Sequence, residues 1–286
     1  MSMRDQLNAM TVDVEDYFQV QAFAGCVKRE DWESLPCHVE ANTDRIIDQF
    51  AKTNTHATFF TLGWVADRYP ALIRRIVAAG HELASHGYGH QLVHDLSPAE
   101  FRVDLLRAKR ALEDIGGVQI HGYRAPTFSI GPRNAWAFDI LAETGHRYSS
   151  SVYPVRHDLY GVPDAPRFPH VTGRGSLLEI PMTTLRIGRQ NLPIAGGGYF
   201  RLMPYTIYKA ALRRFNSTEG KPSVFYFHPW ELDTKQPRVA GAGRLAKFRH
   251  YVNISAVPGR LDNLLRDFRW ARMDQVFAAE IAAAAR

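Results

Sequence analysis

Residues 56–85, HATFFTLGWVADRYPALIRRIVAAGHELAS, contain the pattern that decides the fold class of this chain. Residues 56–62 form a short run of apolar, β-branched and aromatic side chains, which predicts a strand. Apolar side chains then recur at helical spacing over residues 69–79, and Gly80 supplies a helix stop. A second short strand is predicted at residues 82–85. A strand, a helix and a strand of these lengths indicate a parallel βαβ unit.

The same alternation continues along the whole chain of 286 residues. Further strands are predicted at residues 7–14, 119–123, 148–152, 177–181 and 223–228. Further helices are predicted to start at the capping residues Thr43 and Ser97, and to cover residues 133–144, 204–215, 261–269 and the Ala-rich segment 278–285. About seven such units favour a single α/β domain built as a barrel over an open sheet.

Composition argues against several classes of protein. The net charge of +6 comes without any run of five Lys or Arg residues, so the concentrated basic surface of a nucleic-acid-binding protein is missing. Cys26 and Cys37 are too few for a disulfide framework, which favours free thiols in a reducing compartment. No signal peptide and no apolar stretch near the roughly 18 residues of a membrane span is recognisable. We therefore expect a cytoplasmic protein that does not bind nucleic acid, while peripheral membrane association and homo-oligomers stay open.

Ionisable residues gather where the predicted strands end. Asp13, Glu15, His86, Arg124 and His228 all lie at or just past the carboxyl end of a predicted strand. In α/β folds, active sites assemble along this edge. The placement is therefore the first indication of an enzyme.

The first of these strands ends in the acidic segment Asp13-Val14-Glu15-Asp16. Three carboxylates this close together are destabilising unless a cation lies among them, so a divalent metal or a buried arginine is expected nearby. A solvated acidic loop is the alternative. Because side chains alternate along a strand, Asp13 and Glu15 can point to the same side.

The segment SHGYGH at residues 85–90 contains two histidines, His86 and His90. Its two glycines make a helix improbable, but a glycine-bearing loop can direct both imidazoles towards one point. Two imidazoles, one carboxylate and an open position are the usual constitution of a catalytic zinc site. His81 and His94 flank the segment and are assigned structural roles.

Two further segments supply an arginine and a histidine. Arg124, in GYRAPTF, can pair with a carboxylate and hold its orientation. His228 emerges from the apolar run VFYFHPW beside Trp230 and suits a general acid in a sugar-binding cleft. A surface arginine and a packed core histidine are the alternatives.

In this order, the four segments resemble the motifs of the polysaccharide deacetylase family, the chitooligosaccharide deacetylase homology group also called carbohydrate esterase family 4. The segments that are more narrowly similar to exosortase-associated (PEP-CTERM) deacetylases of exopolysaccharide gene clusters are TVDVEDYFQV, SHGYGHQLV, GYRAPTFSI, YPVRHDLYGVPDAPRFP, GGGYFRLMPY, FYFHPWELD and RHYVNI. The resemblance implies a deformed (β/α) barrel of about seven strands, with residues 1–286 as one catalytic domain. It also implies a family-specific extension, from about residue 196 to residue 286, packed on the barrel.

The resemblance also implies roles for individual residues. Asp13 matches the catalytic base, Arg124 the arginine that orients the base, and His228 the general acid. His86 and His90 match the two histidine ligands of a divalent metal, for which Zn²⁺ is the preferred ion.

Two positions depart from the family pattern. The carboxylate ligand commonly follows the base directly, but that position is Val14 here. Glu15 is therefore the preferred third ligand, and Asp16 is the alternative. Ser149 stands where related sequences often carry an acid, so we expect a weaker charge network behind the site.

The expected chemistry is hydrolysis of the N-acetyl group of an amino sugar, in a polysaccharide or its lipid-linked precursor. A backbone N–H near Thr127 is expected to stabilise the oxyanion. Trp230, Tyr199 and Phe128 are candidates for stacking on sugar rings, with core packing as the alternative. A cyclic imide or ureide hydrolase on the same barrel, and a non-catalytic polysaccharide-binding protein, are the alternative functions. A purely structural α/β protein is disfavoured because it has no reason to gather ionisable groups at one edge.

Overall fold

The computed structural model describes residues 6–285. Within these residues the chain forms eleven strands: β1 Leu7–Val14, β2 Thr58–Thr61, β3 Glu82–Ser85, β4 Gly122–Tyr123, β5 Tyr148–Ser149, β6 His170–Thr172, β7 Leu177–Glu179, β8 Thr184–Ile187, β9 Gln190–Pro193, β10 Val224–Phe227 and β11 Arg269–Ala271. The same part of the chain forms eleven α-helices: α1 Val39–Lys52, α2 Gly63–Arg68, α3 Pro70–Ala78, α4 Pro98–Gly116, α5 Trp136–Glu143, α6 Gly197–Leu202, α7 Tyr205–Glu219, α8 Arg244–Tyr251, α9 Val257–Asp267, α10 Met273–Val276 and α11 Ala278–Ala284.

A mostly parallel sheet forms the centre of the molecule. Its continuous parallel path is β10-β1-β2-β3-β4-β5-β7. β6 is antiparallel to β7, and β11 pairs in parallel with the first residues of β1. Past β9, the Ala195 carbonyl accepts a 2.7 Å hydrogen bond from Tyr226 N and so covers the free edge of β10. The predicted α/β fold with about seven barrel strands is confirmed.

The first strand is buried on both of its faces. Met10, Val12 and Val14 pack with apolar side chains of the surrounding helices, whereas Ala9 belongs to a second cluster on the opposite face. Strands covered on both sides read as near-continuous apolar runs, which is what LNAMTVDV shows. Asp13 lies on the same face of β1 as Ala9, and this face packs against side chains of other strands of the sheet.

The helix start predicted at Ser97 is confirmed. The Ser97 hydroxyl accepts a hydrogen bond from Glu100 N, and the Glu100 carboxylate accepts one from Ser97 N at 2.8 Å. Pro98 is the first helical residue, and Gly117 ends α4 in the left-handed conformation with φ of 65°. This arrangement is the capping box that the sequence predicts.

The helix start predicted at Thr43 is wrong. Helix α1 begins at Val39, and the Thr43 hydroxyl donates to Val39 O at 2.6 Å inside the helix. The free N–H groups of His38 and Val39 donate to Asp16 Oδ2 instead. A carboxylate from the loop after β1 thus caps a helix that begins 23 residues later.

Cys26 and Cys37 are free thiols, as predicted. None of the helices formed by residues 6–285 combines the length and the apolar character that crossing a membrane requires.

Candidate metal and catalytic site

The end of β1 delivers two carboxylates to one cavity. Asp13 is the penultimate residue of the strand and Glu15 is the first residue beyond it. The Glu15 N–H donates to Asp13 O at 3.0 Å. Asp13 and Glu15 are 3% and 2% exposed, and both line the same cavity. The two acids therefore reach one cavity, with Glu15 in the turn that follows the strand.

Glu15, His86 and His90 form one buried cluster. One ligand atom of each residue lies within 4.8 Å of the other two. Glu15 Oε2 is 2.8 Å from His90 Nε2. His86 Nδ1 donates to the Arg124 carbonyl oxygen at 2.8 Å, which leaves Nε2 for the cluster. Two imidazoles and one carboxylate make this a candidate site for a divalent metal.

The loop that presents the two histidines is held from outside. Gly87 has φ of 76° and His90 has φ of 52°, so the chain turns sharply twice within four residues. Arg29 donates to the carbonyl oxygens of Gly89 and His90 at 2.7 and 3.1 Å. The glycine-bearing loop thereby directs both imidazoles to one point without a helix.

The electrostatics of the cluster fit a cation. Burial would raise the pKa of Glu15, but the imidazoles of His90, His228 and His86 outweigh it and lower the pKa to about 2. Burial lowers the pKa of His86 to about 4. An ionised carboxylate and a neutral imidazole are the protonation states that bind a divalent metal. Glu15 Oε2 is at ion-pair distance from His90, yet it accepts no hydrogen bond of good geometry from residues 6–285. An orphaned buried oxygen of this kind fits a metal ligand.

Asp16, the alternative ligand, lies outside this cluster. Its Oδ2 caps α1 through His38 N and Val39 N. Its Oδ1 accepts a 2.7 Å hydrogen bond from Tyr17 N. Because backbone groups occupy both carboxylate oxygens, the arrangement favours Glu15 as the third ligand.

Arg124 is fully buried and contacts Asp13. Its Nη1 is 2.6 Å from Asp13 Oδ1 and 2.8 Å from Thr11 Oγ1. Its Nε and Nη2 donate to the carbonyl and hydroxyl oxygens of Ser150 at 3.2 and 3.1 Å. The Phe60 ring lies 4.1 Å from the guanidinium carbon. The planar guanidinium is thus held at every edge and fixes the orientation of Asp13.

His228 reaches the same cavity from the end of β10. Its Nε2 is 3.5 Å from Glu15 Oε1, and its Nδ1 is 2.7 Å from Glu231 Oε1. The other oxygen of Glu231 pairs with Arg201, and both side chains are buried. Burial would lower the pKa of His228, but Glu231, Glu15 and Asp13 raise it overall. Burial would likewise raise the pKa of Glu231, but Arg201 and His228 lower it to about 2.

Glu231 and Arg201 are two site residues that the sequence interpretation missed. Glu231 had a recognisable signal, because it stands three residues after His228 and past a proline, the spacing of a helix-capping acid. Arg201 has no such signal, since only the tertiary fold brings α6 to this turn.

Ser149 lies behind the site, at a position where related sequences often carry an acid. It is buried and donates to Ser151 Oγ at 2.7 Å. Glu179 stands opposite Ser149 in the pairing of β5 with β7, and it accepts hydrogen bonds from Ser151 N and Val152 N at 2.9 and 2.8 Å. The neighbouring strand therefore brings a buried acid next to this position, but that acid binds the backbone.

The cluster opens into a cavity of about 370 Å³. All the predicted catalytic and substrate-binding residues line it except Arg124, which lies behind Asp13; they are Asp13, Thr127, Phe128, Tyr199, His228 and Trp230. Thr127 and Phe128 have φ of 53° and 51°. Two consecutive left-handed residues without glycine are strained, and such strain gathers at active sites.

The three aromatic candidates differ in how much of the ring is accessible to a substrate. Trp230 is 4% exposed and stacks on both His228 and His250, with ring centroids 5.1 and 4.0 Å away. Phe128 is 6% exposed and packs edge-on against tyrosines. Tyr199 is half-buried at the cavity. Tyr199 is therefore the best placed of the three to contact a sugar.

Comparison with protein-family models divides the chain at the end of β5. The model described as polysaccharide deacetylase matches residues 32–149, and the model described as a domain of unknown function (DUF3473) matches residues 150–278. A chitooligosaccharide deacetylase of Bradyrhizobium sp. is 31% identical over 111 residues, which cover 39% of this chain and 48% of that protein. A peptidoglycan-N-acetylglucosamine deacetylase of Bacillus cereus is 30% identical over 84 residues, 29% of this chain and 30% of that protein. The chain thus spans half or less of these relatives.

Solved structures share the fold over nearly the full length. A crystal structure from Mycobacterium smegmatis assigned to the polysaccharide deacetylases has a TM-score of 0.63 at 21% identity, covering 99% of this chain and 93% of that chain. A peptidoglycan N-acetylglucosamine deacetylase in complex with 4-naphthalen-1-yl-N-oxidanyl-benzamide has a TM-score of 0.50 at 15% identity, covering 96% of this chain and 90% of that chain. Both histidines of the cluster and the buried Arg124 lie within the matched residues 32–149. Residues 32–149 are therefore similar to the polysaccharide deacetylase family.

Proposed function

We propose that this chain is a metal-dependent hydrolase that removes N-acetyl groups from amino sugars of a polysaccharide or of its lipid-linked precursor. One observation carries the proposal: Glu15, His86 and His90 converge in a buried cluster and share a cavity with Asp13 and His228. A metal site beside a carboxylate that can act as a base and a histidine that can act as an acid suits amide hydrolysis.

Glu15, His86 and His90 would hold the metal, and Zn²⁺ suits their two nitrogens and one carboxylate. When bound, such an ion lowers the pKa of a water towards about 7 and polarises a carbonyl group.

Asp13 takes the proton from the attacking water. Arg124 occupies Asp13 Oδ1 at 2.6 Å, which leaves Oδ2 to accept that proton. Thr127 offers its backbone N–H to the oxygen that becomes negative as the carbonyl carbon turns tetrahedral, a contact typically worth about 3 kcal/mol. His228 then gives a proton from Nε2 to the amine nitrogen as the C–N bond breaks. The products are acetate and a free amino sugar.

The substrate class follows from the relatives and from the shape of the cavity. The matched relatives are named for chitooligosaccharide and peptidoglycan, both of which contain N-acetylated sugars. A cavity of about 370 Å³ with Tyr199 at its wall suits one pyranose ring. The motif resemblance supports a role in exopolysaccharide synthesis. We place this role in the cytoplasm, on a lipid-linked oligosaccharide at the inner membrane face.

The test is release of acetate from N-acetylated oligosaccharides and from lipid-linked intermediates by purified protein. We expect Asp13→Asn to abolish turnover while the protein keeps one divalent ion, and His86→Ala to lose the ion. Opening of cyclic imides without acetate release would favour the alternative hydrolase. Glycan binding without either reaction would favour a binding protein.

A further inference from the structure

The imidazole of His228 is held on the side away from the cavity by Glu231. Glu231 Oε1 accepts from His228 Nδ1 at 2.7 Å and from the backbone N–H of the same histidine at 3.1 Å. Glu231 is 0% exposed. One carboxylate oxygen thus fixes both the backbone and the ring of His228.

Two separate elements hold Glu231 in turn. The residue sits in the single turn Pro229–Leu232, so the proline and the histidine backbone limit its position. Its second oxygen pairs with Arg201 on α6. Arg201 is 3% exposed, and its Nη2 also donates to Arg249 O at 2.7 Å at the end of α8. A carboxylate held from both ends cannot rotate away from the imidazole.

Among residues 6–285, the carboxylates in contact with His228 are those of Glu15 and Glu231. Glu15 belongs to the candidate metal cluster. Ser149 has no carboxylate, and its hydroxyl donates to Ser151 and not to His228. We infer that Glu231, anchored by Arg201, is the positioning residue of the general acid. It keeps the Nδ1–H of His228 directed away from the cavity, so that Nε2 faces the departing nitrogen. This inference rests on the proposed function.

Two substrates that differ in their leaving group test it. An N-acetyl amino sugar cannot release its amine without a proton, whereas 4-nitrophenyl acetate releases 4-nitrophenolate unaided. For Glu231→Gln, we expect kcat on the N-acetyl substrate to fall about 100-fold, near the lower end of what general acid catalysis contributes, with KM within about twofold and the ester reaction within about threefold. Glu231→Asp should retain more amide activity than Glu231→Gln, because it keeps the charge. In a His228→Gln background, Glu231→Gln should have no further effect.

The control is Glu219→Gln, which removes a carboxylate from another Arg–Glu pair, with Arg167. Arg201→Lys is the second variant should Glu231→Gln fold poorly, and it should show the same selective loss on a smaller scale. Equal losses on both substrates, or an unchanged amide reaction, would overturn the inference. A wild-type protein that cleaves the ester but no N-acetyl sugar would instead refute the proposed function, and the positioning role with it.

Discussion

Replacing Arg124 by methionine removes a cation from a place that water does not reach. Arg124 is 0% exposed and its partner Asp13 is 3% exposed. The guanidinium donates hydrogen bonds to Thr11, Asp13 and both oxygens of Ser150. Methionine fills a similar volume but leaves the carboxylate buried without its partner. Breaking a buried ion pair from one side costs about 3–5 kcal/mol, so the free energy of unfolding should fall by about that amount.

A double-mutant cycle separates the charge from the packing. Asp13→Asn removes the stranded charge, so the double variant should be about 2 kcal/mol more stable than Arg124→Met alone. Urea unfolding of the metal-free proteins, followed by circular dichroism at neutral pH, measures both values. The matched control is Arg167→Met with Glu219→Gln, a less buried pair whose coupling should stay below about 1 kcal/mol. A loss below about 1 kcal/mol for Arg124→Met, or additive effects in the cycle, would refute the reasoning.

Three further predictions concern two buried histidines, the cap of α1 and one glycine. Burial lowers the pKa of His81 and His86 to about 4, so the unfolded chain binds protons at a higher pH than the folded chain does. The free energy of unfolding of the metal-free protein should therefore fall by on the order of 1 kcal/mol per pH unit for each histidine between about pH 6.5 and 4. A urea midpoint that stays constant from pH 7 to 5 contradicts this. Asp16→Ala removes the cap of α1 and should lower the free energy of unfolding by about 1–2 kcal/mol, whereas an unchanged urea midpoint would exclude the capping role. Gly196→Ala should cost more than about 2 kcal/mol, because φ is 121° and the added Cβ would lie 2.1 Å from Tyr226 O; a thermal melt equal to that of wild type would disprove it.

Local patterns in the sequence were sufficient for much of the fold. The apolar run of β1 placed Asp13 and Glu15 at the end of a strand, and the Ser97 capping box placed the start of α4. The paired histidines in a glycine loop indicated the cation cluster. Each of these signals involves residues within one element or one turn, where the spacing along the chain determines where the side chains lie.

Contacts between distant segments were beyond such patterns. The partner of Asp16 is the start of α1, so no local rule separates a capping acid from a metal ligand. Trp230 is a candidate for stacking on a sugar ring, and the sequence does not indicate that His250 from α8 stacks on the same side chain. Arg201 reaches Glu231 only because α6 folds back onto the turn after β10. In each case the missing information is the identity of the neighbour and not the preference of the residue itself.

The pairing of β1 with β10 and β11 has a consequence for how the protein is made. Ala9 pairs with both Val224 and Ala271, so β1 is not fully paired until segments that come much later in the sequence have been made. Until then, the unpaired backbone of an apolar strand is open to association with other chains. Contacts this far apart in sequence also slow folding. Synthesis of β10 and β11, rather than of the segments around β1, should therefore be the step after which the strand carrying Asp13 becomes protected from amide exchange.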